Sequence, residues 1–135
     1  MSYFTDKQNN SPCPCGSGRK LSECCGKFID LDVTPTTAVE VMRARYTAFA
    51  LGHEPWLKAT WDAKKRPSGE IIDPQFHWLG LKIVSAKDID DKHATVEFIA
   101  RARVGNTGAV RHHEVSRFEK HLGLWYYVDG DVLEK

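Results

Sequence analysis

All four cysteines of this 135-residue chain fall within one short segment, at Cys13, Cys15, Cys24 and Cys25; the 110 residues after Cys25 contain none. The segment reads CPCGSGRKLSECC, a C-x-C-x8-C-C spacing. It is rich in Gly, Pro and Ser, with too few apolar side chains for a core of its own. Something other than hydrophobic burial must order it. A metal ion held by thiolates supplies that energy. The N-terminal run Met1-Ser2-Tyr3-Phe4-Thr5-Asp6-Lys7 is polar, with no apolar h-region, so no secretory signal is expected. The expected compartment is the cytoplasm, where thiols stay reduced. A metal site therefore ranks above a disulfide framework. No C-x2-C pair is present, which ranks a redox role lower still.

A tetrahedral zinc needs four soft ligands at about 2.3 Å from one point. Cys13 and Cys15 can deliver two thiolates from one tight turn, with Pro14 fixing φ between them. Gly16-Ser17-Gly18 then lets the chain reverse. Ser17 and Ser22 are candidate caps for a short helical turn through residues 19–21 that returns Cys24 and Cys25 to the metal. Adjacent ligands are unusual, and the spacing alone leaves open whether Cys25 or a histidine such as His53 is the fourth. Four thiolates leave no position for a water, so the expected cofactor is one structural Zn2+ per chain.

The stretch SPCPCGSGRKLSECCGKF resembles the SEC-C motif, the small zinc-binding element at the C-terminus of the SecA preprotein translocase ATPase. Every position of that motif is matched. The resemblance implies zinc at Cys13, Cys15, Cys24 and Cys25, and a docking surface for a protein or ribosomal partner. Arg19, Lys20 and Lys27 would be the basic, partner-binding groups of that surface. They partly offset the formal charge of −2 on a zinc with four thiolates.

Beyond the cysteines, residues 26–35 read as a linker. This sets expected boundaries of 1–28 for the zinc element and 29–135 for a second domain. Thr37-Ala38-Val39-Glu40 fits a capping box. Val39, Met42, Tyr46 and Phe49 then recur at steps of three and four, predicting a helix over about 38–50 that ends at Gly52. Arg43 and Arg45 lie roughly 200° apart around its axis, so one is expected to anchor the sheet and the other to be solvated. Pro55 suits the start of a second helix, with Trp56, Leu57, Thr60 and Trp61 on its inner face. Residues 62–75 read as a loop. From residue 77 the period changes to two: Trp78, Gly80, Lys82 and Val84 oppose Leu79, Leu81 and Ile83. Val96, Phe98, Ala100 and Ala102 likewise oppose their neighbours. Strand signals continue over 109–120 and 124–129, with turns at 90–91, 105–108 and 121–123. Four consecutive strands predict an antiparallel meander whose buried face the helices cover. The expected class is α+β: an N-terminal zinc knuckle, then helices packed on a curved antiparallel sheet of about four strands.

The segments VMRARYTAFALG, ATWD, WLGLKI, TVEFIARAR and EVSRFEKHLGLWYYVDG are similar to the bacterial YchJ family. Together with the cysteine motif the resemblance covers nearly the whole chain. It implies a cone of the nuclear transport factor 2-like (cystatin-like) type and names no reaction. Some members carry a second SEC-C motif at the C-terminus. This sequence ends at Leu133-Glu134-Lys135 after a single one, so a role needing two zinc elements is not expected.

Folds of this type host enzymes and pure binding modules alike. Strand parity supplies the pocket candidates. If Phe118 faces inward, so do Ser116, Glu114 and His112; if Tyr127 does, so do Trp125 and Asp129. Tyr46, Trp61 and Trp78 add aromatic walls. A buried Glu114 or Asp129 is a candidate general base, whereas a Glu114 paired with Arg43, Arg45 or Arg117 would simply hold helix to sheet. His112 and His113 point to opposite faces and do not share a metal. No nucleophile elbow, phosphate loop or HExxH motif occurs, so no catalytic residue is assigned and binding is favoured over catalysis. Charge is balanced, 19 Lys+Arg against 18 Asp+Glu, which argues against sequence-specific DNA binding. No run of 18 apolar residues predicts a membrane span. Trp78-Leu79-Gly80-Leu81 is a candidate homodimer face. The expected function is a zinc-bearing adaptor whose cone binds a ligand or dimerises; the alternative is a small acid/base enzyme.

Overall fold

The computed structural model describes residues 3–133. Met1 and Ser2, at the polar start of the chain, and Glu134 and Lys135, at its end, lie outside the described residues. The chain begins with a one-turn helix, α1 (Asp6–Asn9), closed by a capping box between Thr5 and Gln8. A 3-10 turn over Leu21–Glu23 follows, then α2 (Cys25–Ile29), α3 (Ala38–Leu51) and α4 (Glu54–Ala59). Four strands complete it: β1 (Phe76–Asp90), β2 (His93–Val104), β3 (Gly108–His121) and β4 (Leu124–Leu133). They form one antiparallel sheet in the order β1-β2-β3-β4.

α3 starts and stops where its sequence signals lie. The Thr37 hydroxyl accepts from the Glu40 amide at 3.1 Å, and the Glu40 carboxylate accepts from the Thr37 amide at 3.2 Å. Gly52 closes the helix at φ 81°, a left-handed conformation that suits glycine. α3 is the centre of the molecule. Val41, Met42, Ala44, Arg45, Tyr46, Thr47 and Ala48 are all buried, and the helix packs on α2 and α4 as well as on the sheet. One apolar cluster runs from Phe4, Leu21, Phe28 and Ile29 through α3 to Val96, Phe98, Phe118 and Trp125.

Two sequence expectations change here. Residues 26–29 are not linker: they belong to α2, whose Gly26 lies so close to the 3-10 turn that an added Cβ would come within 2.6 Å of the Leu21 carbonyl oxygen. Trp61 is not on the inner face of α4, which ends at Ala59. It instead makes a parallel bridge to Tyr127 of β4, with the Asp62 amide donating to the Tyr127 carbonyl at 2.8 Å. His53 caps α4 by accepting from the Trp56 amide, and Pro55 sits in its first turn.

The sheet bends through bulges, and these correct the predicted faces. β1 carries an extra residue at Leu79, Val84 and Ile89, and each of the three is exposed. Trp78, Leu81, Ile83 and Ala86 consequently pair with Ala102, Ala100, Phe98 and Val96, so Trp78 and Leu81 share a face instead of opposing each other. The candidate dimer segment thereby splits, with Leu79 exposed and Trp78 and Leu81 turned inward. In β4 the extra residue is Val128, because Arg117 pairs with Asp129 while Phe118 pairs with Tyr127. Asp129 therefore does not follow Tyr127 inward. It takes an ion pair with Arg117, which also binds Asp131 at 2.8 Å.

Candidate functional site

The four cysteine sulfurs converge on one point. Cys13 and Cys15 leave a turn in which Gly16 and Gly18 take φ 82° and 87°. A single backbone bridge between Pro12 and Lys20 closes that turn. Cys24 ends the 3-10 turn at φ −125° and ψ −115°, and Cys25 opens α2. This break in the helical path brings two adjacent sulfurs to one side. No side chain caps the 3-10 turn; Ser17 instead bonds the Arg19 amide at 3.2 Å and the Cys24 sulfur at 3.1 Å.

All four cysteines are buried and their Sγ atoms lie within 4.8 Å of one another, with Cys15 and Cys24 3.6 Å apart. Thiolates each about 2.3 Å from a tetrahedral zinc have sulfur–sulfur edges of about 3.8 Å. The donor set and its spacing fit a metal, and the cysteines form no disulfide. Around them sit groups that the cysteine spacing could not reveal. Arg43 of α3 donates to the Cys15 carbonyl at 3.0 Å and approaches the Cys15 sulfur at 3.6 Å. The Thr47 hydroxyl lies 3.6 Å from the Cys13 sulfur. Arg19 reaches within 3.9 Å of the Cys24 sulfur. Hydrogen bonds from Cys13 and Cys25, with Arg43 beside them, hold the Cys15 thiol well below its ordinary value. Such outer contacts orient thiolates and offset their charge. Arg19 and Lys20 are exposed, while Lys27 is half-buried with its ammonium 5.1 Å from the centre of the Phe28 ring. His53 stands apart, capping α4 and lying tilted against the Tyr3 ring at a centroid distance of 4.2 Å.

On the other side of α3 the cone encloses a cavity of about 380 Å³. The structure brings Tyr46, Trp61, Trp78, Glu114, Ser116 and Tyr127 together on its wall. Phe118, Ser116 and Glu114 are buried along the inward face of β3, His112 is half-buried and Val110 is 40% exposed, so the cavity opens at the Val110 end. Glu114 accepts from His112 Nε2 at 2.8 Å, from the Ser116 hydroxyl at 2.6 Å and from the Tyr127 hydroxyl at 2.9 Å. Burial pushes Glu114 up, but the hydrogen bonds from His112, Ser116 and Tyr127 outweigh it and hold the carboxyl below its ordinary value. Burial and the neighbouring Glu114 push the Tyr127 phenol up, so it stays a donor. Gly130 lies directly behind, where any side chain would strike the Glu114 carboxylate. His113 turns to the opposite face and bonds Glu97 at 2.7 Å.

Both α3 arginines are engaged by the protein, Arg43 while half-buried and Arg45 while buried. Arg43 faces the cysteines, and Arg45, 3% exposed, faces the cavity. The sequence does carry a signal for the first of these: Arg43 and Thr47 are four residues apart, on one face of α3.

Comparison with known proteins follows the same two-part layout. Residues 10–27 match the model of the SEC-C motif, and residues 37–130 match that of the YchJ middle NTF2-like domain. The chain belongs to the YchJ family. A UPF0225 protein of Cupriavidus metallidurans is 45% identical over 130 residues, covering 92% of this chain and 91% of its own. One from Bordetella pertussis is 44% identical over 131 residues, covering 93% and 98%. The solution structure of a SEC-C motif containing protein from Rhodopseudomonas palustris has a TM-score of 0.81 at 30% identity, over 92% of this chain and 100% of its own. The crystal structure of a SEC-C motif containing protein from Psychrobacter arcticus has a TM-score of 0.77 at 25% identity, over 96% and 86%. The α+β fold and the pairing of a SEC-C motif with an NTF2-like domain are thus shared. No helix among the described residues is long and apolar enough to cross a membrane.

Proposed function

We propose that this chain is a cytoplasmic adaptor. Its cysteine element carries one structural Zn2+ on Cys13, Cys15, Cys24 and Cys25 and docks on a protein or ribosomal partner; its cone holds a ligand or pairs with a second copy. The observation that carries this reading is the closed four-sulfur cluster. Its sulfurs are buried and spaced for a tetrahedron, and Arg43, Thr47 and Ser17 contact them. Four thiolates leave no open position for substrate, which favours a structural metal. The exposed Arg19 and Lys20, with Lys27 nearby, form the basic contact surface.

The acid/base alternative needs a carboxylate whose pKa is raised towards neutrality. Glu114 is held low by three donors, and Asp129 is paired with Arg117 outside the cavity. These placements favour ligand holding over catalysis. The test is affinity capture from reduced cell extract with the wild type, Cys24→Ser and the doubly reversed Arg19→Glu/Lys20→Glu. A partner retained by the wild type and lost from both variants supports docking. An unchanged set of partners overturns it.

A further inference from the structure

Arg45 is a buried cation whose donors are half unused. Its Nη1 donates to the Leu57 carbonyl at 2.9 Å and to the Thr60 hydroxyl at 2.8 Å. Its guanidinium carbon lies 4.8 Å from the Trp61 ring centre and 4.6 Å from that of Tyr127. Those contacts explain how Arg45 pins α4 and β4 to α3, yet they involve one nitrogen and one side of the group, since the Trp61 and Tyr127 ring centres are themselves only 5.1 Å apart. Nε and Nη2 bond no described residue, and no carboxylate among the described residues forms an ion pair with Arg45. Burial accordingly lowers its pKa to about 10, although Tyr127 and Glu114 oppose the shift. The nearby carboxylate, Glu114, has both oxygens taken by His112, Ser116 and Tyr127. The cavity therefore holds an anion already engaged by three donors and a cation that lacks a contacting anion among the described residues. On the same wall the buried Trp61 indole N–H has no acceptor among the described residues.

The remaining walls suit a flat apolar body. Tyr46 meets Trp78 edge to face at 5.8 Å, and Phe49 lies tilted against Trp78 at 6.2 Å. A volume of about 380 Å³ admits a small molecule of one or two fused rings. We propose that the cone cavity binds a small planar aromatic monocarboxylate, its carboxylate on the unused edge of Arg45 and its ring against Tyr46, Phe49 and Trp78. This deepens the reading of the cone as a ligand-holding domain and rests on it. Glu114 restricts the ligand to a single negative charge, because a second would lie beside a buried carboxylate.

The probe is naphthalene-2-carboxylate, titrated against its neutral amide in the full zinc-loaded chain and followed by tryptophan quenching and calorimetry. The carboxylate is expected to bind at least about tenfold tighter than the amide, as a charge-assisted pair requires. Arg45→Met is expected to abolish that preference while leaving amide binding in place. Val110→Trp sits at the exposed opening, so the fold tolerates it; it is expected to block both probes. Equal binding of acid and amide to the wild type overturns the ligand class and leaves the ligand-holding reading standing. Failure of both to bind at millimolar concentration overturns both readings. Unchanged binding in Val110→Trp places the probe elsewhere and overturns the assignment, whatever the folding of Arg45→Met.

Discussion

The cysteine element and the cone lie on opposite sides of α3 and are ordered by different forces. In the first, four buried sulfurs occupy the position that a hydrophobic centre fills elsewhere, framed by polar contacts from Ser17, Arg43 and Thr47. In the second, Leu57, Val96, Phe98 and Phe118 bury apolar surface in the ordinary way. The two share one packed seam along α3, so the order of each bears on the other. The difference teaches that a short, Gly-rich segment adopts a defined turn when a cluster of buried sulfurs and a neighbouring helix together fix its ends, without a core of its own.

Removing the proposed metal is the hardest break of that comparison. Structural zinc in small domains carries about 10–16 kcal/mol of binding free energy, most of which is folding free energy. We expect Cys24→Ser to lose zinc and to lose amide protection over residues 12–29, while the sheet keeps its slow-exchanging amides. Hydrogen exchange reads both regions in one experiment, and a single cooperative loss of all protection would merge the two into one unit. Next in size is Leu57→Ala, which leaves a cavity at a fully buried position of the cone. It should reduce stability by about 2–5 kcal/mol with zinc content unchanged, as read by denaturant unfolding and metal analysis.

Gly26→Ala acts on the other side. Its Cβ would press on the Leu21 carbonyl, reducing stability by about 1–3 kcal/mol and weakening zinc retention against a chelator. Equal zinc retention would show that α2 and the 3-10 turn adjust independently of the metal. The smallest effect is a pH dependence. Glu114 is held below its ordinary value of 4.5. Its carboxylate therefore stabilises the fold at neutral pH, and that contribution fades as pH falls from 4.5 towards the folded value. Glu114→Gln should flatten the acid limb of the stability curve; an unchanged limb in the variant would remove Glu114 from the account.

The elements were legible wherever a local signal fixed them. Thr37, Glu40 and Gly52 marked both ends of α3, and the alternation along β2 and β3 placed Phe98, Glu114, Ser116 and Phe118 on the inward face. Parity failed where a strand gains a residue. Gly80, next to the Leu79 bulge, was the available hint in β1, and nothing about Val128 marked its bulge in β4. Parity alone therefore puts Asp129 inward, whereas the bulge turns it out to Arg117. The cysteines were legible as a cluster because their spacing is local. Arg43 and Arg45 were not, because the angle between them gives no information about what packs on each face. One face meets the sulfurs and the other the cavity, so the protein holds both guanidiniums, Arg43 half-buried and Arg45 buried.

The most direct measurement of the central claim is the metal content of the intact chain, purified under reducing conditions without added metal. One zinc per chain is expected, retained by the wild type and by Glu114→Gln, and lost from Cys24→Ser. Zinc-free protein that is folded over residues 12–29, or a Cys24→Ser variant that keeps its zinc, would contradict it.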